Sequence, residues 1–228
     1  QLVLFLKRKR TFYIYNKKIR ELLKTNSNIK LSKKNIIKTK KRFEDCGFKN
    51  ISLDWHKFYN SFHSSFKTDF IPESIFYTQI ESSLNRFIML PALEDKNLLD
   101  YFFSPSISPK IILKNINGYY YIDNKQVLFN NAIDACCKWK EFVIKPSIGT
   151  SGGKGVIKYV SKNIENSKEE IKKLLLSYKC DFIVQEIVMQ NSELKKLNPS
   201  SLNTIRVMSY MRESDVVILS AVIRIGRK

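Results

Sequence analysis

Histidine is almost missing from this sequence: 228 residues carry only two, His56 and His63. Cysteine is scarce too. Cys46, Cys136, Cys137 and Cys180 show neither a C-x-x-C spacing nor the paired framework of a disulfide-stapled domain. So few soft ligands at no metal-binding spacing argue against a zinc site. Free thiols in a chain of this size predict the reducing cytoplasm. No apolar run reaches the length that crosses a bilayer, and the stretch at 2–6 is far too short. The chain opens on Gln1 rather than methionine, which reads as a trimmed N-terminus and leaves a signal peptide undecided. Glycine and proline are also few, at seven and six, while hydrophobic residues reach 43%. That balance excludes a disordered tail or flexible linker and predicts a buried core.

Acidic residues are the last shortage, 21 against 40 Lys and Arg, for a net charge of +19. The excess is concentrated at the start: residues 1–50 hold sixteen basic side chains and three acids. Such a segment suits an acidic polymer or an anionic membrane surface, and it also suits plain solvation. Beyond charge it contains no nucleic-acid reading motif, and no specific nucleic acid is expected as a partner.

The periodicity divides the chain into three regions: a helical, basic segment at 1–90, mixed elements at 91–140, and a glycine-loop region at 141–228. Ile19, Leu22 and Leu23 fall on one helix face, Arg42, Phe43 and Cys46 continue the pattern, and a second helix is expected over 73–86. The stretch 62–70 reads as irregular and ends at Pro72. Asp95-Lys96-Asn97 ahead of the apolar run 98–103 reads as an acid-capped helix start. Residues 119–122 and 126–129 around Asp123-Asn124 read as a hairpin, and 132–139 as a short helix. Strands are expected at 141–145, 155–160, 182–185, 203–211 and 216–225. Ser167 and Glu170 have the S-x-x-E spacing of a capping box. Behind them Ile171, Leu174, Leu175 and Tyr178 form an amphipathic face. The order predicts an α+β chain, an antiparallel layer with helices on one face.

Four of the seven glycines lie between Gly149 and Gly155. Glycine lets backbone N–H groups approach a ligand closely, as a phosphate cradle requires. Two familiar cradles are excluded by spacing. A Walker A loop needs Ser or Thr after its Gly-Lys, and Gly155 follows Lys154. A dinucleotide fingerprint fails because Lys158 stands where its last glycine belongs. Lys145 ends an apolar strand, where a hydrated ammonium is costly without an anionic partner. The pattern is that of a hairpin lid over phosphates.

The segment Phe142-Val-Ile-Lys145-Pro-Ser-Ile-Gly-Thr-Ser-Gly-Gly-Lys-Gly155 resembles the lysine strand and glycine loop of ATP-grasp enzymes. Ile183-Val-Gln-Glu186 resembles their adenine hinge. Asn198-Pro-Ser-Ser-Leu-Asn-Thr-Ile-Arg206-Val and Ala221-Val-Ile-Arg224-Ile-Gly226 resemble the sugar-transfer-associated ATP-grasp family in particular. The resemblance covers the chain from about residue 70 onward. It implies an ATP-grasp fold, with ATP between two lobes, behind a mainly helical N-terminal region.

The resemblance also implies site residues. Lys145 would contact the α- and β-phosphates, and Lys96 would be a second phosphate lysine, or else a solvated lysine in a helix first turn. Ser147, Ser151, Gly152, Gly153 and Gly155 would form the lid. Gln185, Glu186, Ile187 and Val188 would receive adenine, with Glu186 on its amino group and the backbone at Ile187 and Val188 on its edge. Glu193 would hold the ribose. Strand alternation puts Thr204, Arg206, Met208 and Tyr210 on one face, and Ile218, Ser220, Val222 and Arg224 on another. Planar guanidinium forks at Arg206 and Arg224 suit a γ-phosphate and an acyl phosphate.

The implied chemistry is ATP-dependent joining of a carboxylate to an amine through an acyl phosphate, with ATP and Mg²⁺ as cofactors. Small-molecule or glycan-linked substrates of polysaccharide or cell-envelope synthesis would be its partners, in the cytoplasm or at the inner face of the membrane. The Mg²⁺ ligands are unknown, since the family's acidic and amide ligands follow the strand ending at Arg224 and the sequence stops at Lys228. The expectation for these residues is ATP binding without turnover. A non-catalytic nucleotide-binding protein and a basic nucleic-acid binder are the alternatives.

Overall fold

Apolar residues recur at helical spacing through the first part of the chain, and there it is helical. The computed structural model describes residues 2–25, 30–49, 51–85, 90–104, 107–150, 152–161 and 164–226. Contacts divide the chain into two units, Gln1–Leu90 and Pro91–Lys228. The first unit contains helices Leu2–Lys24, Lys33–Asp45 and Asp54–Asn60. Ser32 starts the second of these, its hydroxyl accepting from Asn35 N at 3.2 Å, which satisfies an otherwise orphaned donor. Residues 61–72 are irregular, as expected. After Pro72 the chain is helical again through Glu73–Ile75, a π-helical turn Phe76–Ile80, and Glu81–Leu84. This stretch stops short of Arg86, which lies outside the described residues.

Ile19, Phe43, Trp55 and Ile75 are buried here, and the Tyr15 and Tyr77 rings stack at 4.6 Å. His56 is fully buried. Burial lowers its pKa, so the ring is neutral, and its Nε2–H donates to the Thr68 carbonyl at 3.2 Å. It is a core residue. No described helix is long and apolar enough to cross a membrane.

The second unit is built on strands β1 Ile111–Ile116, β2 Tyr119–Ile122, β3 Lys125–Val127, β4 Glu141–Pro146, β5 Ile157–Val160 and β6 Phe182–Gln185. They form one sheet in the order β3-β2-β1-β6-β4-β5, with every pairing antiparallel. Two tight turns set its first half. Asn117-Gly118 and Asp123-Asn124 all have positive φ, the geometry that matches the twist of paired strands. The segment 111–116, given no element by the sequence reading, is a central strand.

One face of the sheet carries Leu113, Phe142, Ile144, Phe182 and Val184, all buried. Helices Phe129–Cys137 and Ile164–Tyr178 cover it with Ile133, Cys136, Ile171 and Leu175. The amphipathic reading of the second helix therefore holds. The capping box does not: the helix starts at Ile164, so Ser167 lies one turn inside it. Glu170 instead meets the Tyr159 hydroxyl at 3.2 Å. The α+β class is observed, as helices with antiparallel sheets.

The last strands, β7 Thr204–Arg212 and β8 Asp215–Arg224, pair only with each other among the described residues. Thr204 opposes Arg224 and Arg206 opposes Val222, so the two arginines share a face. A register shift after Met208 places Ile218 opposite Ser209, which corrects the expected grouping of Ile218 with Ser220 and Arg224. Period-2 alternation does not anticipate a bulge.

The base of this ribbon is fastened by two asparagines. Asn203 Oδ1 accepts from Gly226 N at 3.1 Å, and its Nδ2 donates to Leu194 O and Asn198 O, both at 2.9 Å. Asn198 Nδ2 donates to Gly226 O at 2.6 Å. The fit leaves no room at Gly226, where a Cβ would lie 2.6 Å from Ser201 Cβ. Gly226→Ala is expected to cost about 1–3 kcal/mol, a typical overpacking penalty. Urea unfolding of the variant, with and without Ser201→Gly, checks it: the second change should return most of the loss.

Candidate functional site

The candidate site lies on the face of the sheet opposite the helices. Alternation along β4 turns Val143 and Lys145 away from Phe142 and Ile144, and pairing sets Val143 opposite Gln185 and Lys158, and Lys145 opposite Ile183. β4 ends at Pro146, and the chain turns through residues 147–156 into β5. Gly152, Gly153 and Gly155 have positive φ, and a Cβ at Gly155 would press on Pro146 Cγ at 3.0 Å. Tyr178, the last residue of its helix, donates its hydroxyl proton to Gly155 O at 2.7 Å and moors the returning arm of the loop.

Beside this loop lies a cavity of about 570 Å³, within the usual range of ligand sites, about 300–1,000 Å³. Its wall includes Val143, Lys145, Val156, Gln185, Ile187 and Val188. Glu186 belongs to the wall too, but it is occupied. Its N donates to Lys110 O at 3.0 Å and its Oε1 accepts from Lys110 N at 2.8 Å, so the carboxylate first fixes the strand exit. Among the described residues no hydrogen bond uses the backbone of Ile187 or Val188. The hinge thus presents unused donors and acceptors between apolar side chains, the pairing an adenine edge requires.

Lys96 reaches the same place from another direction. Asp95 caps the short turn Lys96–Leu98 by accepting from Asn97 N at 2.9 Å. Both Lys96 N and Lys96 Nζ donate to Ser147 O, at 3.1 and 3.0 Å. Lys96 is half-buried and tied to the end of β4, which disfavours the solvated-lysine alternative. The two ammonium groups feel each other: burial first, and then Lys96, lower the pKa of Lys145 from a lysine's ordinary 10.5.

A lysine that loses its proton more easily folded than unfolded costs stability while it stays charged. That cost is present at neutral pH and fades as pH rises from the lowered value toward 10.5. A bound polyphosphate would restore the ammonium. Affinity for ATP is therefore expected to fall as pH rises through the lowered pKa of Lys145. Calorimetry across that range, with Lys145→Arg as the always-charged control, reads this directly: the control should be flat.

Among the described residues, the remaining expected ones are not on the cavity wall. Ser147 is 1% exposed and serves through its backbone, its N donating to Asp181 O at 2.8 Å. Ser151 lies outside the described residues. Gly152, Gly153 and Gly155 form the loop without lining the cavity. Glu193 is exposed on the turn after Asn191 and pairs with Lys196 at 2.7 Å. Arg206 and Arg224 are exposed on the β7–β8 ribbon. Among the wall residues that the sequence reading did not assign to the site are Lys158, which pairs with Glu141 at 2.9 Å, and Gln190, whose Oε1 accepts from Asn203 N at 2.6 Å. Alternation from Tyr159, a core aromatic, would have turned Lys158 toward the site. Gln190 follows from no local signal.

The family model for sugar-transfer associated ATP-grasp matches residues 76–228. The chain belongs to this family. No curated protein and no solved structure matches it. For an ATP-grasp chain the family implies ATP use, typically with Mg²⁺, and an enzyme of the ligase kind. The cavity, the paired lysines and the open hinge fit a nucleoside triphosphate. The described residues do not supply a Mg²⁺ ligand set. None of their His, Cys, Asp and Glu side chains form a group of three or more that could hold a metal, and the wall's acid, Glu186, already serves Lys110.

Proposed function

We propose that this chain is the nucleotide-binding part of an ATP-dependent carboxylate–amine ligase. The observation behind the reading is the convergence of Lys96 and Lys145 at the end of β4, next to a cavity whose hinge backbone is free. Two cations at one point match the polyphosphate, and the apolar hinge matches the base. In the first step a substrate carboxylate oxygen attacks the γ-phosphorus and ADP leaves, giving an acyl phosphate. Positioned cations stabilise the charge spread over the transferring group. In the second step an amine nitrogen attacks the acyl carbon, phosphate departs and the nitrogen loses a proton, leaving an amide.

Lys145 and Lys96 would hold the phosphates, the loop 147–156 would close over them, and Ile187 and Val188 would read adenine. Arg206 and Arg224, on one face of their ribbon, would neutralise the acyl phosphate. Polysaccharide or cell-envelope precursors are the proposed substrate class, a reading extended from the family's association with sugar transfer. The test is ATP-dependent hydroxamate formation when the protein is given candidate carboxylates and hydroxylamine, which intercepts acyl phosphates. ATP binding without hydroxamate from any carboxylate would favour a nucleotide-binding protein that has lost the chemistry.

The basic helix supports one addition. Leu6, Arg10, Tyr13, Lys17, Arg20 and Lys24 recur at intervals of three and four and are exposed, a stripe suited to an anionic membrane surface. Vesicles containing phosphatidylglycerol should retain the protein at low salt and release it at high salt. If they fail to retain it, this part of the proposal is wrong.

A further inference from the structure

A third lysine stands on the same face of the sheet. Lys114 in β1 opposes Ile183, and Ile183 opposes Lys145, so the three form one row across β1, β6 and β4. With strands spaced about 4.8 Å apart, the two lysine Cα atoms lie roughly 10 Å from each other. Lys114 is 2% exposed, and an ammonium so buried persists only when paired. Its partners are Asp100 Oδ1 at 2.6 Å, Asn124 Oδ1 at 2.7 Å and the ring of Tyr101 at 5.0 Å. None of them lines the cavity.

Where those partners sit gives the pair its meaning. Asp100 and Tyr101 belong to the helical turn Leu99–Phe102, which continues the turn bearing Lys96. That turn is also held at the neighbouring position of β1, where Asn97 Nδ2 donates to Asn115 O at 3.0 Å. Two successive residues of one strand, Lys114 and Asn115, thus anchor residues 96–102, and Lys96 projects from the anchored segment to Ser147 O. A buried pair that merely filled the core would be weak evidence for stability, since apolar residues of similar size often do as well.

We propose that Lys114 is a positioning residue: its ion pair with Asp100 holds the 96–102 segment on the sheet, so that the Lys96 ammonium stands beside Lys145. The functional weight of this placement rests on the ATP reading given above; the placement itself does not.

The test follows the reactivity of Lys145 toward an amine-acylating reagent across pH, read by mass spectrometry on the full chain. Among the described residues, the charged groups sharing the cavity wall with Lys145 are Lys158, Glu186 and Lys195, with Lys96 beside it and Glu141 on its own strand, and none of them is altered in the deciding variant. In Lys96→Met the Lys145 midpoint should rise, because a neighbouring cation has gone. In Asp100→Ala it should rise as well, because Lys96 is released. Direct loss of the Asp100 negative charge would move it the other way. A midpoint that stays or falls in Asp100→Ala, in a protein with wild-type circular dichroism, overturns the proposal. If that variant does not fold, Asp100→Asn, similar in shape with a weaker acceptor, is read by the same criterion, and Asp100→Glu should restore the wild-type midpoint. ATP·Mg²⁺ affinity should fall about tenfold or more in Lys96→Met and Asp100→Ala alike, the scale of a charge-assisted contact. If the wild type binds no ATP, the nucleotide reading fails, and the labelling still decides the placement.

Discussion

Replacing Lys145 by alanine is expected to weaken ATP·Mg²⁺ binding roughly 10- to 150-fold, the equivalent of about 1.5–3 kcal/mol for a hydrogen bond to a charged group. Titration calorimetry on the wild type and the variant measures it. The same substitution should leave stability unchanged or slightly raised. Lys145 ends an apolar strand, its charge is disfavoured by burial and by Lys96, and truncation removes that cost. Opposite signs for binding and folding are what a residue kept for its ligand should show. A variant that lost both together would mean that Lys145 supports the fold, and its place in the site would have to be reconsidered.

The second large effect lies three residues earlier on the same strand. Phe142 is fully buried and stacks on Tyr159 at 4.8 Å, between β4 and β5. Phe142→Ala should cost about 3–5 kcal/mol, transfer free energy plus the cavity left behind. Against a total stability of about 5–15 kcal/mol for a typical domain, that is enough to leave a substantial unfolded fraction on mild heating. Urea unfolding by fluorescence checks the magnitude. Saturating ATP·Mg²⁺ should shift the midpoint of this variant upward as it does for the wild type, because the cavity wall starts at Val143, on the other face.

These two residues also show what was legible in the sequence. Phe142 and Lys145 differ in face by alternation alone, and a cation closing an apolar strand next to clustered glycines announces a ligand. The motif named Ile187 and Val188, and both line the cavity. Lys114 emits the same signal as Lys145, yet β1 is buried on both faces and offers neither clean alternation nor a wholly apolar run. The Asn117-Gly118 turn behind it was the available clue.

Ser167 misled because S-x-x-E reads the same one turn inside a helix as at its start. The shared face of Arg206 and Arg224 comes from the register of the β7–β8 ladder, and the bulge that moves Ile218 away has no marker such as glycine. The resemblance assigned Glu193 to the ribose, and in the structure its carboxylate pairs with Lys196. Contacts made by segments distant in sequence, Lys96 to Ser147 or Gln190 to Asn203, leave no local pattern to read.

The central claim is that ATP lies between the Lys145 loop and the hinge after β6. Hydrogen–deuterium exchange on the 228-residue chain, with and without ATP·Mg²⁺, tests it most directly. The expected result is slowed exchange in peptides covering residues 145–156 and 185–190, with residues 33–45 unchanged and the effect lost in Lys145→Ala. Slowed exchange confined to the N-terminal helices, or no change at saturating nucleotide in a folded sample, would contradict it.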